Sequence, residues 1–389
     1  MVDGTPRRCD FAVIGAVGLA QLIAWGSLYY AIAIMADAIR RELGVSSPQV
    51  FAAFAASVAL SGVLAPWAGR LVDRRGGRLV LFVGPLVGAL GFAVLANTRS
   101  ILSAWIVIAL HGFAMALSLY ETCFAALSQR YPNDYRRAVT FVTLLGGLAS
   151  SMFWPATHYL LSNAGWRLTS RIYALALIAA ALLNAAALSA PGLERRERAA
   201  IDRGHAPLPG RARGLIAAFA GASFVSAALA AHLPSTLTAL HVEAAHAVWI
   251  AALVGVMQVA GRALELAVGR RLSAARLGLL TFAGVLASLL LLIASDGHAA
   301  LALAFALVYG AANGVMTIVG ATIPSELFGT RQLGLVLGRF AAPSRVTRAI
   351  APLAFSAVAA PFGSWYALVW TAGVAAASCA MYTRAVRAS

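Results

Sequence analysis

Two arginines, Arg345 and Arg348, lie three positions apart inside an apolar stretch at residues 335–360. In a helix this spacing places both side chains on one face, and each guanidinium can bind a carboxylate through two parallel hydrogen bonds. Charge at bilayer depth is costly and usually marks a functional site. The pair therefore predicts an anion-binding site. Two alternatives remain: a helix that begins later and leaves both arginines in a loop, or an ion pair that serves packing alone.

Glu121 is the only acid deep within an apolar stretch, at residues 101–128. A buried carboxyl group that is neutral in one state and ion-paired in another can couple proton movement to a conformational change. We therefore expect Glu121 to carry a coupling proton, with a static ion pair as the alternative. Four more residues at bilayer depth are candidates for binding a solute, with interfacial anchoring or helix packing as the alternative. They are Trp25, Tyr29, Tyr30 and Asn313.

Other chemistry is excluded by residue usage. The chain has no lysine, so a phosphate-binding loop that ends in lysine is absent and direct ATP hydrolysis is excluded. Cys9, Cys123 and Cys379 are too far apart to form a disulfide framework or a metal site. We expect no nucleic-acid partner, because the net charge of +16 comes from arginines at the ends of apolar stretches. We also expect no enzymatic activity, no cofactor and no metal, because the sequence shows neither a catalytic triad nor a zinc-type pair of histidines.

The apolar stretches themselves predict the fold. The chain is 61% hydrophobic and only 11% charged, whereas a soluble domain has about 25% charged residues. A helix needs about 20 apolar residues to cross a bilayer. The predicted spans are 11–35, 49–69, 79–97, 101–128, 138–161, 168–190, 214–236, 247–268, 277–295, 299–325, 335–360 and 365–383. The sequence thus predicts an all-α membrane protein of about twelve helices.

The polar stretch 191–213 predicts a division into a six-helix half at 1–190 and another at 214–389. Arginines cluster in alternate loops, which places both termini and the central loop in the cytoplasm. The first span is too long for a signal-peptide core of about 7–15 residues, so we expect it to be retained. The exclusive use of arginine and the abundant alanine are typical of GC-rich bacterial coding, so we expect a bacterial inner membrane.

A short pattern occurs in both halves. Gly69, Arg70, Asp73, Gly77 and Arg78 are matched about half a chain later by a second set at equal spacing. That set is Gly261, Arg262, Glu265, Gly269 and Arg270. Repeated six-helix halves around a central cavity are the architecture of many secondary transporters.

The sequence GRLVDRRGGR at 69–78 resembles the signature G-x-L-a-D-R-x-G-R-R of the major facilitator superfamily, with Gly77 replacing a basic residue. The resemblance extends over the whole chain and implies the major facilitator fold. In that family this loop latches the two halves on the cytoplasmic side. A gating role is thus implied for Gly69, Asp73, Arg74, Gly76 and Arg78. Glycines permit a tight turn and close helix approach, and Asp73 can face a neighbouring helix N-terminus.

Three further segments resemble the monocarboxylate and oxalate–formate porters: WGSLYY at 25–30, APWAG at 65–69 and GWR at 165–167. This resemblance implies alternating-access transport of a small organic anion, such as a monocarboxylate or dicarboxylate, coupled to a proton or counter-solute gradient. That branch uses basic residues in its eighth and eleventh helices, which makes Arg262 a further candidate beside a structural role. We expect a monomer whose partners are a small-molecule solute and membrane lipid. Proton-coupled export of apolar or cationic toxicants and a non-transporting membrane receptor remain alternatives.

Overall fold

The computed structural model describes residues 10–44, 46–98, 101–188, 210–268, 271–330 and 332–387. Within these ranges the chain is helical and contains no strand. Ten of the helices described are long and apolar enough to cross a membrane. The helix that carries Arg345 and Arg348 is not among those ten. The prediction of an all-α membrane protein with about twelve spans is confirmed.

The first compact unit comprises residues 10–188 together with Phe328–Ala342. Its helices are α1 (Phe11–Trp25), a π-helical segment (Gly26–Ala31), α2 (Ile32–Leu43), α3 (Ser47–Arg75), α4 (Gly77–Ala96), α5 (Ile101–Ser118), α6 (Tyr120–Arg130), α7 (Tyr135–Gly147) and α8 (Ala149–Ala187). In this unit α4 packs against α5 and α8, and α3 packs against α5.

The second compact unit comprises residues 210–327 together with 343–387. Its helices are α9 (Gly210–Ala239), α10 (Ala244–Val268), α11 (Ala274–Ile293), α12 (Ala299–Phe328), α13 (Leu333–Phe362) and α14 (Ser364–Arg387). Helix α14 packs against α9 and α11. Helix α13 is divided between the units, its residues up to Ala342 packing with the first and those from Pro343 with the second. The predicted division at 191–213 lies largely outside the described residues.

Local signals set the helix ends. The Asp10 side chain accepts a hydrogen bond from the Ala12 amide (3.0 Å) and caps α1. Gly44 takes the left-handed conformation (φ 66°) that ends α2. Ser46 and Gln49 form a reciprocal capping box at the start of α3. At each of these ends the free backbone groups are capped or face solvent. This is necessary because hydrocarbon offers them no hydrogen-bond partner.

The first, fourth, fifth and sixth spans differ from their predicted form. The first continues to Leu43 and contains the π-helical segment. The fourth is broken at Leu119, whose extended backbone (φ −80°, ψ −176°) separates α5 from α6. A third irregularity is Gly165 (φ 70°, ψ 165°), which joins the fifth and sixth spans within α8.

Candidate functional site

Asp73 binds the first turn of α13. Its two carboxylate oxygens accept hydrogen bonds from the backbone amides of Gly334 (3.0 Å) and Leu335 (2.8 Å). These amides belong to the first turn of a helix, where no intrahelical acceptor exists. The carboxylate also lies at the positive end of the helix dipole. The predicted contact between Asp73 and a helix N-terminus is therefore confirmed.

Glycines allow α3 and α13 to pack backbone to backbone. A Cβ on Gly69 would lie 1.9 Å from the carbonyl oxygen of Gly334. A Cβ on Gly338 would lie 2.3 Å from the carbonyl oxygen of Ala65. Gly76 has a φ of 85° and ends α3. The expected roles of Gly69 in close approach and of Gly76 in the turn are thus confirmed.

The basic residues of the same loop lie elsewhere. The Arg78 Nε donates a hydrogen bond to the carbonyl oxygen of Ala185 (3.0 Å), near the C-terminal end of α8. The Arg74 side chain is exposed. In the described residues Arg78 therefore joins α4 to α8. Its positive charge is also stabilised there by the negative end of the α8 dipole.

Arg345 and Arg348 both lie inside α13. The helix begins at Leu333, so the alternative that leaves them in a loop is wrong. At 1.5 Å per residue they lie about 18 Å and about 22 Å from its start. Arg345 is only 7% exposed and Arg348 is half-buried. Arg339, nearer the start of the helix, is also half-buried.

Arg348 has polar neighbours in the second unit. The hydroxyl of the buried Tyr309 on α12 lies within electrostatic range of Arg348 and within hydrogen-bonding range of Ser226 on α9. Asn313 lies one helical turn after Tyr309 and is half-buried. The Tyr309 hydroxyl thus links α12 to Ser226 of α9 and lies within electrostatic range of Arg348 of α13. The spacing of Tyr309 and Asn313 could have identified Tyr309 from the sequence; no pattern singles out Ser226.

Arg262 is 5% exposed, on α10. Its Nε donates a hydrogen bond to the carbonyl oxygen of Gly314 (3.2 Å) on α12. Its Nη1 is buried and has no hydrogen-bond partner among the described residues. A buried guanidinium nitrogen without an acceptor is costly. Gly269 and Arg270, which complete the second copy of the repeated pattern, lie outside the described residues.

Glu121 is the second residue of α6 and is half-buried. We expected Glu121 to lie within one continuous helix. Instead the chain is extended at Leu119 and a new helix begins at Tyr120. The first turn of α6 is a favourable place for a carboxylate. The break is held by the buried Gln21, whose Nε2 donates a hydrogen bond to the carbonyl oxygen of Ser118 (2.6 Å).

Trp25, Tyr29, Tyr30 and Tyr120 form one aromatic cluster. The Trp25 ring centroid lies 5.3 Å from that of Tyr29, 6.4 Å from that of Tyr30 and 4.9 Å from that of Tyr120. All four side chains are half-buried. The cluster lies in the middle of the 11–43 span, about 20 Å from either end at 1.5 Å per residue.

The GWR segment at 165–167 forms a polar contact at the opposite end of the first unit's helices from Asp73. Arg167 donates hydrogen bonds to Glu42 (2.9 Å), to the carbonyl oxygen of Ala96 (2.8 Å) and to that of Thr98 (3.0 Å). The Trp166 indole also donates to Glu42. A cavity of about 320 Å³ is lined here by Glu42, Ala96, Asn97, Arg167 and Arg171. The segment thus ties α2, α4 and α8 together.

Comparisons with known proteins agree with this architecture. The human organic anion transporter MFSD10 (TETRAN) is similar in structure, with a TM-score of 0.76 and 15% identity over 97% of this chain and 100% of that one. The proton:xylose symporter XylE, bound to 6-bromo-6-deoxy-D-glucose, gives a TM-score of 0.76 and 13% identity over 96% of this chain and 95% of that one. At such identities the likeness shows the fold alone. No curated protein matches the sequence.

Helical spans of bilayer length describe a multi-pass membrane protein. The family model of the Major Facilitator Superfamily matches residues 17–294, so the chain belongs to this superfamily and is a transporter of small-molecule solutes, not an enzyme.

Proposed function

We propose that the chain is a secondary active transporter of a small organic anion, such as a monocarboxylate or dicarboxylate. The observation that carries this proposal is the burial of Arg345 in the middle of α13, with Arg348 one turn further on. A guanidinium at this depth is retained at considerable cost. Its planar set of donors matches a carboxylate, which it can bind through two hydrogen bonds.

The polar groups around Arg348 favour the binding of an anion. Tyr309 and Ser226 supply hydroxyl groups that can donate to a carboxylate oxygen. Asn313 adds an amide on the same helix face as Tyr309. Arg262 supports the same chemistry independently, since its buried Nη1 lacks an acceptor that a solute carboxylate could supply.

Coupling and gating are proposed on separate residues. Glu121 carries the coupling proton or responds to a counter-solute, because it is a half-buried carboxyl group at a break in the fourth span. Asp73 controls access from the cytoplasm, because releasing its carboxylate would leave the first turn of α13 uncapped. Gly69 and Gly76 support this gate through the close approach of α3 to α13 and the turn that ends α3. We propose that Arg74 and Arg78 of the same loop assist it, Arg78 by holding α4 against α8. We further propose a monomer in a bacterial inner membrane with both termini in the cytoplasm.

Counterflow in proteoliposomes tests the substrate class. Vesicles loaded with a mixture of unlabelled monocarboxylates and dicarboxylates should accumulate a labelled carboxylate. Arg345→Gln and Arg348→Gln should each weaken binding about 10- to 100-fold, the range expected when a hydrogen bond to a charged group is lost. The matched control is Arg276→Gln, an exposed arginine of the second unit, which should leave counterflow unchanged.

A thermal-shift screen separates loss of binding from loss of folding. A ligand of the native state raises the apparent melting temperature by mass action. If carboxylates produce no shift while apolar or cationic toxicants do, the chain is an exporter of toxicants and the anion proposal is wrong. If neither class is bound or transported, and Arg345→Gln leaves the biological activity intact, a receptor role replaces transport of an anion.

A further inference from the structure

The aromatic cluster (Trp25, Tyr29, Tyr30 and Tyr120) is accessible in the middle of a span. Each of its side chains is half-buried, so the cluster is partly accessible, while one face of Tyr120 stacks on Phe124 (5.1 Å between centroids). Tyrosine and tryptophan carry polar tips that hydrocarbon cannot satisfy. The Trp25 Nε1 is itself buried and has no acceptor among the described residues. An accessible set of such rings at mid-span suits a polar ligand better than lipid.

The backbone is irregular in both chain segments that carry the cluster. Trp25, Tyr29 and Tyr30 lie in or next to the π-helical segment, and Tyr120 follows the extended residue Leu119. Single π-helical turns are frequent at functional sites, and broken helices mark the binding sites of many transporters. The buried Gln21 holds the break through Ser118, while its own Oε1 has no hydrogen-bond partner among the residues described. Two irregular segments therefore meet where the rings meet.

The chemistry of the cluster favours a cation. The faces of tryptophan and tyrosine rings attract ammonium groups, tryptophan most strongly. The span that carries Trp25, Tyr29 and Tyr30 has no charged residue from 11 to 36, and the charged residue that follows Tyr120 is an acid, Glu121. The unpartnered Trp25 indole can also donate to an oxygen close to the cation.

We propose that the aromatic cluster binds a quaternary ammonium group that has an oxygen atom a few bonds away. The proposal goes beyond the anion site and does not depend on it, because every residue that carries it belongs to the first unit. Two sources have this chemistry: an ammonium on the transported solute itself, and a separate organic cation that is bound while another solute moves.

Binding is tested on the full chain in nanodiscs, with choline as the probe and tryptophan fluorescence or calorimetry as the measurement. The neutral isostere 3,3-dimethyl-1-butanol has the shape of choline without its charge. We expect choline to bind at least about tenfold more tightly than the isostere, since cation–π attraction is lost with the charge. Equal affinity for the two would overturn the proposal, as would the absence of choline binding.

Variants locate the site. Trp25→Leu should weaken choline binding about tenfold or more, whereas Tyr29→Phe, which retains the π face, should change it less than about threefold. Tyr159→Leu is the control, because Tyr159 is an exposed tyrosine of the same unit outside the cluster. If Trp25→Leu does not fold, Tyr29→Leu replaces it. Equal losses in Tyr159→Leu and the cluster variants would refute the assignment.

Uptake in proteoliposomes distinguishes the two sources. Accumulation of labelled choline without any carboxylate identifies the ammonium as part of the solute. Choline that remains outside while it raises carboxylate uptake identifies a separate bound cation. Failure of the anion proposal leaves the choline titration unaffected, so the two proposals fail independently.

Discussion

Replacing Asp73 with asparagine removes the charge from both hydrogen bonds at the start of α13 and removes the acceptor of one of them. The carboxylate accepts hydrogen bonds from the amides of Gly334 and Leu335, one through each oxygen. Asparagine keeps one acceptor and places an NH₂ group, which is a donor, against the other amide. A hydrogen bond to a charged group contributes about 1.5–3 kcal/mol, and the dipole of the helix adds about 0.3–1 kcal/mol. We expect Asp73→Asn to weaken this contact by about 2 kcal/mol, roughly 30-fold.

The rate of amide hydrogen exchange at Gly334 and Leu335 measures the strength of this contact. The amide of Val336 binds the carbonyl oxygen of Gln332 within the backbone, whereas those of Gly334 and Leu335 bind the Asp73 side chain. Mass spectrometry of peptides covering 333–340 should therefore show faster exchange at Gly334 and Leu335 in Asp73→Asn, with Val336 as the internal reference. Asp73→Ala should accelerate exchange further, since both acceptors are lost.

The matched control is Asp37→Asn. Asp37 forms an exposed ion pair with Arg40 (3.3 Å), and such pairs contribute about 0–1 kcal/mol. This variant should leave exchange at 333–340 unchanged. Exchange that is equally slow in the native protein and in Asp73→Asn would show that the carboxylate does not hold α13. The proposed gate would then lose its basis, whatever the transport rate of the variant.

Three further predictions concern helix contacts. Gly338→Ala should lower the melting temperature, because its Cβ would lie 2.3 Å from the Ala65 carbonyl oxygen; Gly373→Ala, with open space around the new Cβ, should be neutral or slightly stabilising. Arg167→Lys should lower the free energy of unfolding by about 1 kcal/mol in denaturant titrations, because one ammonium cannot replace three spread donors at a partly exposed site. Arg262→Met should keep or raise the melting temperature, because the orphaned buried nitrogen is removed, while carboxylate counterflow falls; full counterflow would assign Arg262 to packing.

The spans could be predicted because local rules determine them, whereas the expectation that Asp73 faces a helix N-terminus came with the resemblance of its loop to a known signature. Hydrocarbon requires a long apolar helix for each crossing, so composition alone locates α3, α4 and their counterparts. Gly69 and Gly76 stand where only glycine fits, beside the Gly334 backbone and at a φ of 85°. The apolar length left open whether Arg345 lies in the helix or in a loop before it, and the start of α13 at Leu333 decides this. The inferences about the spans and about the turn at Gly76 need only residues that are close in sequence.

The neighbours of the predicted site could not be found in this way. Tyr309 of α12 lies within electrostatic range of Arg348 and within hydrogen-bonding range of Ser226 of α9. No spacing in the sequence relates residues on different helices. Arg78 illustrates the same limit. Its loop suggested a role beside Asp73, yet its side chain reaches the end of α8, more than a hundred residues along the chain.

The break at Leu119 is the clearest case of tertiary contacts overriding local preference. Neither glycine nor proline lies between Ala114 and Arg130, so the sequence favours one continuous helix there. Side chains instead satisfy the carbonyl oxygens at the break. Gln21 of α1 donates a hydrogen bond to the Ser118 carbonyl oxygen, and the Thr122 hydroxyl donates one to the Ala116 carbonyl oxygen (2.7 Å). A backbone that departs from local preference and still has its carbonyls satisfied is most often found where a function requires it. Trp25 packs on Tyr120, the first residue after this break. For this reason we expect a ligand to bind between the first and fourth spans.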